Sequence, residues 1–168
     1  MLVTPLAACG PETITVKDER PVVAAAWPDD LFVDAAPEGA LRITEVKPTA
    51  AVGDVVTVRG RVGGALHPFV EGRAVMTIAD PEAIDACDAR ENDPCETPWD
   101  YCCEPLEEIV AATATVQVAG ADGRPLHAAL NGAGGLAPHT PVVVRGKVAQ
   151  TGDGGVLVID AESIHVAR

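Results

Sequence analysis

The chain is 168 residues long and strongly acidic, with a formal net charge of −13 at pH 7. This charge argues against a nucleic-acid surface, which needs clustered Lys and Arg side chains. No apolar run approaches the roughly 18–20 residues of a membrane-spanning helix. Hydrophobic residues make up 48% of the chain and aromatic residues only 3%. Because most of the hydrophobic residues are Ala and Val, the composition predicts one small β-rich domain with a β-branched core.

The N-terminal stretch LAACG, residues 6–10, resembles a bacterial lipobox, in which small residues precede a cysteine that receives lipid. The resemblance implies lipidation at Cys9 and makes residues 1–9 the remnant of a signal peptide. A signal peptide needs a basic region and an apolar stretch of about 7–15 residues, and too little chain precedes Cys9 to supply both. Either translation starts upstream of Met1, or Cys9 is an ordinary cysteine.

The lipobox interpretation carries a prediction for the compartment and for the next segment. The protein is then a lipid-anchored protein of the bacterial cell envelope, periplasmic or surface-exposed, and it meets the membrane only through its anchor. Residues 10–40 are rich in Pro, Ala and acidic residues and show no sustained period. They are predicted to form a flexible tether between anchor and domain.

From residue 41 onward, apolar and polar residues alternate in short runs, which is typical of half-buried strands. Five strands are predicted, at residues 54–64, 74–80, 114–120, 141–150 and 155–166. The turn at residues 151–154 joins the last two. The first strand contains VRGRV and the fourth VRGKV, so both are expected to bend at a central glycine.

This arrangement of strands resembles an OB-fold, an all-β, five-stranded Greek-key barrel. The resemblance covers residues 41–168, and a small β-sandwich is the alternative. Many OB-folds bind nucleic acid through aromatic side chains and a basic groove. Here the predicted strands have almost no aromatic residues, and their few cations face an acidic insertion. Nucleic acid is therefore not the expected partner.

An insertion at residues 81–112, between the second and third strands, carries all the cysteines except Cys9: Cys87, Cys95, Cys102 and Cys103. An even number of cysteines in an oxidising compartment predicts two disulfides. The insertion is too poor in large apolar residues to order itself, so cross-links would supply that order. Because a bridge between adjacent cysteines is strained, Cys87 and Cys95 are expected to pair with Cys102 and Cys103, in either sense.

Metal binding by the same insertion is the alternative to disulfides. Four thiolates would satisfy a tetrahedral zinc site, but adjacent cysteines in an extended segment point to opposite sides, and nearby acids raise thiol pKa values. Calcium needs six to eight oxygen ligands. The candidate calcium ligands are Asp85, Asp88, Glu91, Asp93 and Asp100. Their spacing does not follow an EF-hand, so a solvated acidic face is the simpler interpretation. Trp99 and Tyr101 are predicted to form an apolar lid over the sulfurs.

No catalytic motif is present in the sequence. The only serine, Ser163, lies outside any G-x-S-x-G pattern. The histidines are isolated along the chain, at His67, His127, His139 and His165. A redox-active cysteine is also disfavoured, because it needs an electropositive neighbourhood. The sequence therefore predicts a protein that is not an enzyme.

The segments PFVEGRAVMTIADP and TPWDYCC resemble a group of secreted lipoproteins from planctomycete-type bacteria. The resemblance covers residues 52–166 and implies a lipid-anchored OB-type domain with the same cysteine-bearing insertion; it implies no activity. The predicted function is a non-enzymatic envelope lipoprotein, a structural module or one that binds an envelope protein or small ligand. A calcium- or zinc-binding protein is the alternative, and an OB-type nucleic-acid-binding protein is a lesser one.

Overall fold

The computed structural model describes residues 27–89, 94–152 and 154–167. The strands are β1 (Leu41–Arg42), β2 (Val55–Val62), β3 (Val75–Ala79), β4 (Thr113–Gln117), β5 (Pro141–Gly152) and β6 (Val156–Val166). The α-helices are α1 (Ile43–Val46) and α2 (Leu106–Ala112), and single 3-10 turns occur at Cys87–Ala89, Pro98–Asp100 and Ala133–Gly135. Among the described residues, neither helix has the length and apolar composition needed to cross a membrane.

Five strands close into a barrel in the order β2–β3–β4–β6–β5, and β5 pairs back onto β2. The pairing of β4 with β6 is parallel, and the other four contacts around the barrel are antiparallel. This is the Greek-key connectivity of an OB-like barrel. The prediction of an all-β, five-stranded OB-like fold is therefore confirmed.

The core consists of the inward-facing aliphatic side chains of alternate strand positions. Val58 and Val62 on β2, Met76 and Ile78 on β3, and Val116 on β4 are fully buried. Met76 and Ile78 are two residues apart and Val58 and Val62 four, which are multiples of the two-residue period at which a strand presents one face. The residues LRITEV form the short strand β1 followed by the single helical turn α1. Helix α1 adds its buried Ile43 and Val46 to the core.

Two strand glycines allow close backbone approach where the barrel bends. A side chain at Gly60 of β2 would lie 2.9 Å from the carbonyl oxygen of Ala79. A side chain at Gly146 of β5 would overlap the carbonyl oxygen of Asp160, and the register of β5 against β6 shifts beside this glycine. The related sequences VRGRV and VRGKV therefore both place their glycine where a neighbouring strand leaves no room for a Cβ atom.

The segment before β1 belongs to the folded domain. Leu31 is completely buried in the barrel core, and Trp27 and Phe32 pack against it. The backbone of this segment pairs with β6, since Val33 N–H donates to Ile164 O at 3.0 Å and Ile164 N–H donates to Leu31 O at 2.6 Å. The prediction of a flexible tether over residues 10–40 is thus contradicted at residues 27–33, which are held on the barrel by these contacts. Residues 10–26, together with the signal remnant and Cys9, lie outside the described residues.

Candidate metal centre

The connection between β3 and β4, residues 80–112, is fastened to the barrel at its two ends. Asp80 N–H donates to Ala112 O at 2.8 Å, which joins the two ends of the connection. The Asp80 carboxylate is buried and accepts a 2.6 Å hydrogen bond from the Thr44 hydroxyl of α1. Lys47, after α1, donates to the carbonyl oxygens of Val110 and Thr113 at the C-terminal end of α2. A cation at this helix end satisfies carbonyls that have no partner within the helix.

Three thiols and one carboxylate of this connection converge on one point. The ligand atoms of Cys87, Cys95, Asp100 and Cys102 all lie within 4.8 Å of one another. The Sγ atom of Cys102 is 3.7 Å from that of Cys87 and 3.9 Å from that of Cys95. Zinc–thiolate bonds of about 2.3 Å in a tetrahedron put neighbouring sulfurs about 3.8 Å apart. The separations of the Cys102 sulfur from the Cys87 and Cys95 sulfurs are therefore those of a tetrahedral thiolate site.

The turn at residues 97–102 positions two of the four groups. Asp100 ends a 3-10 turn, and Tyr101 follows with a left-handed backbone, φ 56°, that reverses the chain before Cys102. The Asp100 carboxylate accepts hydrogen bonds of 2.9 Å from Cys102 N–H and from the Thr97 hydroxyl. Burial raises the pKa of this carboxyl, but hydrogen bonds from the Cys102 backbone, the Thr97 hydroxyl and two thiols hold it below its ordinary value. Asp100 is thus an oriented carboxylate beside the sulfurs.

The predicted disulfides are not formed in the structure. A disulfide holds its sulfurs about 2.05 Å apart, well below the separations seen here. Cys102 contacts both Cys87 and Cys95, whereas the prediction paired each of those two with a different member of the 102–103 pair. Cys103 is exposed and is not a member of the four-residue group.

The pKa of the Cys102 thiol is raised well above its ordinary value. The largest cause is its contact with the Cys87 thiol, followed by its contacts with the Asp100 carboxylate and the Cys95 thiol. Each of these neighbours favours the neutral thiol, because a thiolate here would face other electron-rich atoms. A bound cation reverses this preference, since it stabilises the thiolates directly.

The three candidate calcium ligands that the structure describes are not assembled as a group. Of the five, only Asp100 belongs to the single metal-type group found among the described residues. The Asp85 side chain is exposed, and Asp88 lies 3.8 Å from the ring of His139. Glu91 and Asp93 lie outside the described residues. The metal-type site of the described chain is therefore sulfur-rich, and calcium prefers oxygen ligands.

Trp99 and Tyr101 attach the connection to the barrel. The Trp99 carbonyl accepts a 2.7 Å hydrogen bond from Gly64 N–H, and its indole N–H donates to Leu66 O at 3.2 Å. Tyr101 is buried in a small second core with Ala79, Ile84, Ala86 and Ala112. A side chain at Gly63 would lie 3.1 Å from the Tyr101 ring. The Gly63-Gly64 pair is a sequence feature that could have indicated this contact, because its lack of Cβ atoms lets the two backbones meet.

Replacement of Tyr101 by phenylalanine should leave the free energy of unfolding unchanged or raise it by up to about 1 kcal/mol. The Tyr101 hydroxyl is one of two buried side-chain polar atoms without a hydrogen-bond partner in the described part of the chain; the other is Arg61 Nε. Removing an unpartnered buried hydroxyl removes a desolvation cost. Tyr101→Ala is the matched control and should cost about 3–5 kcal/mol by leaving a cavity. Urea unfolding measures both, and a loss above 1 kcal/mol for the phenylalanine variant would show that the hydroxyl does bond.

A polar triad that sequence reasoning missed includes Asp88, the residue that follows Cys87 in the chain. Arg61 of β2 donates to Nε2 of His139, and Nδ1 of His139 lies 3.8 Å from the Asp88 carboxylate. His139 has a left-handed backbone, φ 69°, held by its N–H bond to Val62 O. Burial and the Arg61 charge lower the pKa of His139, and the Asp88 charge offsets part of this effect. These three residues are distant in sequence, so no local pattern links them.

The conformational stability should fall as the pH decreases from about 7 to about 5, with His139 as a contributor. Because the folded pKa of His139 is lowered, the unfolded chain takes up its proton first, and that uptake favours unfolding. In His139→Asn this part of the pH dependence should vanish, and Asn tolerates the positive φ. Urea titrations at pH 5, 6 and 7 with a chelator present would test this. Equal pH slopes in the two proteins would contradict it.

Comparison of the chain with protein-family models, with curated proteins and with solved structures gives no match.

Proposed function

We propose that the protein is a zinc-binding, non-enzymatic module whose metal ion holds the β3–β4 connection on an OB-like barrel. The observation that carries this proposal is that the ligand atoms of Cys87, Cys95, Cys102 and Asp100 all lie within 4.8 Å of one another, with the Cys102 sulfur at tetrahedral-site distances from the other two sulfurs. Thiolate ligands favour zinc over calcium or magnesium. Four protein ligands leave no open position for a reacting water, so the role of the ion is structural.

A disulfide-stapled envelope lipoprotein is the second candidate, and it depends on the lipobox-like residues around Cys9. In an oxidising compartment the same thiols would be candidates for cross-linking. Two features favour the metal over the disulfide. The Cys102 sulfur contacts the sulfurs of two other cysteines, whereas a disulfide joins only two. The Asp100 carboxylate is also oriented beside the sulfurs, and a carboxylate is a ligand for a metal ion but takes no part in a disulfide. Location in the cell envelope is compatible with either chemistry.

Nucleic-acid binding is the least supported of the three candidates. Cations on the outer barrel have acidic partners: Arg59 pairs with Glu82 at 3.0 Å, and Arg145 lies 3.8 Å from Glu162. These pairs reduce the positive potential that a phosphate backbone would require. Arg61 and Arg73 instead bond to histidine rings.

Zinc content measured by mass spectrometry should give one ion per chain for protein purified with reductant and dialysed against trace zinc. Cys102→Ser should lose this ion. Cys103→Ser is the matched control, because it changes the adjacent cysteine outside the group, and it should retain one ion. Zinc affinity should also decrease as the pH is lowered, since the thiols must release protons to bind.

Intact mass before and after alkylation without reductant separates the two candidates. Blocked cysteines and no bound zinc in the native protein would overturn the zinc proposal and favour the staple. Alkylation of the cysteines only after zinc is chelated would support the zinc site.

A further inference from the structure

The carboxylate of the candidate metal centre is held by a neighbouring side chain. The Thr97 hydroxyl donates a hydrogen bond to Oδ2 of Asp100 at 2.9 Å, and the Cys102 N–H donates to Oδ1 at 2.9 Å. Each carboxylate oxygen therefore has a donor at hydrogen-bond distance that fixes its direction. Of these two donors, only the Thr97 hydroxyl can be removed by a side-chain substitution, because the other is a backbone group.

The Thr97 hydroxyl also contacts a sulfur of the group. Its oxygen lies 3.8 Å from Sγ of Cys95. A hydroxyl has one proton, and here that proton is donated to the Asp100 carboxylate. Thr97 thus offers the Cys95 sulfur only an acceptor, so it does not compete with a metal ion for the electron pairs of that thiolate. Thr97 therefore touches two of the four candidate ligands without being a ligand itself.

The turn that carries Thr97 is fastened to the barrel. Asp100 N–H donates to Thr97 O at 3.0 Å and closes a 3-10 turn that begins with Pro98. Within this turn, the Trp99 carbonyl accepts a 2.7 Å hydrogen bond from Gly64 N–H, just beyond β2. A hydroxyl on a turn supported in this way is fixed in position, which is what a group that orients a metal ligand requires.

The charge of the ligand set favours a divalent ion. Three thiolates and one carboxylate carry four negative charges, so a divalent ion leaves two of them unbalanced and a monovalent ion leaves three. The carboxylate is also the one hard donor of the set, whereas copper(I) is a soft ion that thiolates satisfy. The position of the Asp100 oxygens thus distinguishes a zinc site from a copper(I) site.

We propose that Thr97 is a positioning residue, which holds the Asp100 carboxylate for the ion and thereby sets the preference of the site for zinc over copper(I). This inference rests on the proposed zinc centre and names a determinant of its metal specificity. Without the hydroxyl, Oδ2 of Asp100 loses its donor, and the carboxylate is free to rotate away from the sulfurs. The three thiolates that remain bind copper(I) as before but hold zinc less tightly.

The test compares Thr97→Val, which removes the hydroxyl and keeps the shape of the side chain, with Thr97→Ser, which keeps the hydroxyl. Zinc and copper(I) dissociation constants are measured on the reduced protein by competition with chromophoric chelators. Thr97→Val should weaken zinc binding at least about tenfold and copper(I) binding less than about threefold. Thr97→Ser should bind both ions as the parent protein does. Thr49→Val is the matched control, because it removes a threonine hydroxyl outside the β3–β4 connection, and it should leave both constants unchanged.

A double-mutant cycle shows whether Thr97 acts through Asp100. In Asp100→Ala, which lacks the carboxylate, Thr97→Val should cause no further loss of zinc affinity. An equal loss in both backgrounds would overturn the proposal. A parallel loss of zinc and copper(I) affinity in Thr97→Val would also overturn it, because the assembly of the sulfurs would then depend on Thr97.

The parent protein separates this inference from the zinc centre on which it rests. Zinc binding by the parent protein, with the same zinc affinity in Thr97→Val, would refute only the role of Thr97. Absence of zinc binding from the reduced parent protein would refute the metal centre itself and this role with it. Retained copper(I) binding by Thr97→Val would show that the sulfurs of the variant are still assembled, so that its weaker zinc binding does not come from unfolding.

Discussion

Replacement of Cys87 by serine should abolish stoichiometric zinc binding and lower the melting temperature of the protein in excess zinc by about 10 °C. Cys87 is the buried member of the group, and serine is a poor zinc ligand at neutral pH. A ligand present at 1,000 times its dissociation constant stabilises the folded state by about 4 kcal/mol. In a chain of this size each kilocalorie per mole changes the melting temperature by about 2–4 °C.

Differential scanning calorimetry with and without a chelator checks this result. The chelator should lower the melting temperature of the parent protein by the same amount, whereas the melting temperature of Cys87→Ser should not change when the chelator is added. Cys103→Ser should behave as the parent protein. A chelator-independent melting temperature in the parent protein would contradict the metal centre.

Leu31→Ala should lower the free energy of unfolding by about 2–5 kcal/mol, as expected for a large core side chain replaced by alanine. Leu31 has no exposed surface, and its carbonyl oxygen accepts a hydrogen bond from Ile164 of β6. If residues 10–40 formed the predicted flexible tether, Leu31→Ala would leave the free energy of unfolding unchanged. Leu66→Ala provides the matched control with the same change of side chain at an exposed position, and it should cost less than about 0.5 kcal/mol. Urea unfolding monitored by circular dichroism measures both, and equal costs for the two variants would remove residues 27–40 from the domain.

The barrel was predictable because its signals are local. The strands around Val58 and Val116 alternate apolar and polar residues, and those around Met76 and Val144 are short runs rich in β-branched residues. The glycines of VRGRV and VRGKV occur where strands approach closely. Residues 27–40 gave no such signal. Their single buried leucine lies among prolines and acids, and it is held by pairing with a strand more than a hundred positions later in the chain.

The candidate centre was predictable in its residue types and not in its geometry. Adjacent cysteines that point to opposite sides counted against a site with four thiols, which stayed an alternative, and the group contains Cys102 and not Cys103. A carboxylate as a fourth ligand beside three sulfurs was not predicted. The 3-10 turn and the left-handed backbone of Tyr101 place Asp100 beside the sulfurs. Tyrosine rarely adopts this backbone conformation, and no sequence pattern predicts it here.

The connection between β3 and β4 begins and ends on directly paired residues, Ala79 and Thr113. Extending a tight hairpin turn to a loop of this length costs only about 2 kcal/mol in chain entropy, because closure entropy grows with the logarithm of loop length. An ion that joins Cys87 to Cys102 would divide that loop into shorter segments and recover part of this entropy. The pairing register of β3 and β4 therefore depends little on the length of the segment that connects them. A metal-ordered segment can be inserted at this point without altering the two strands.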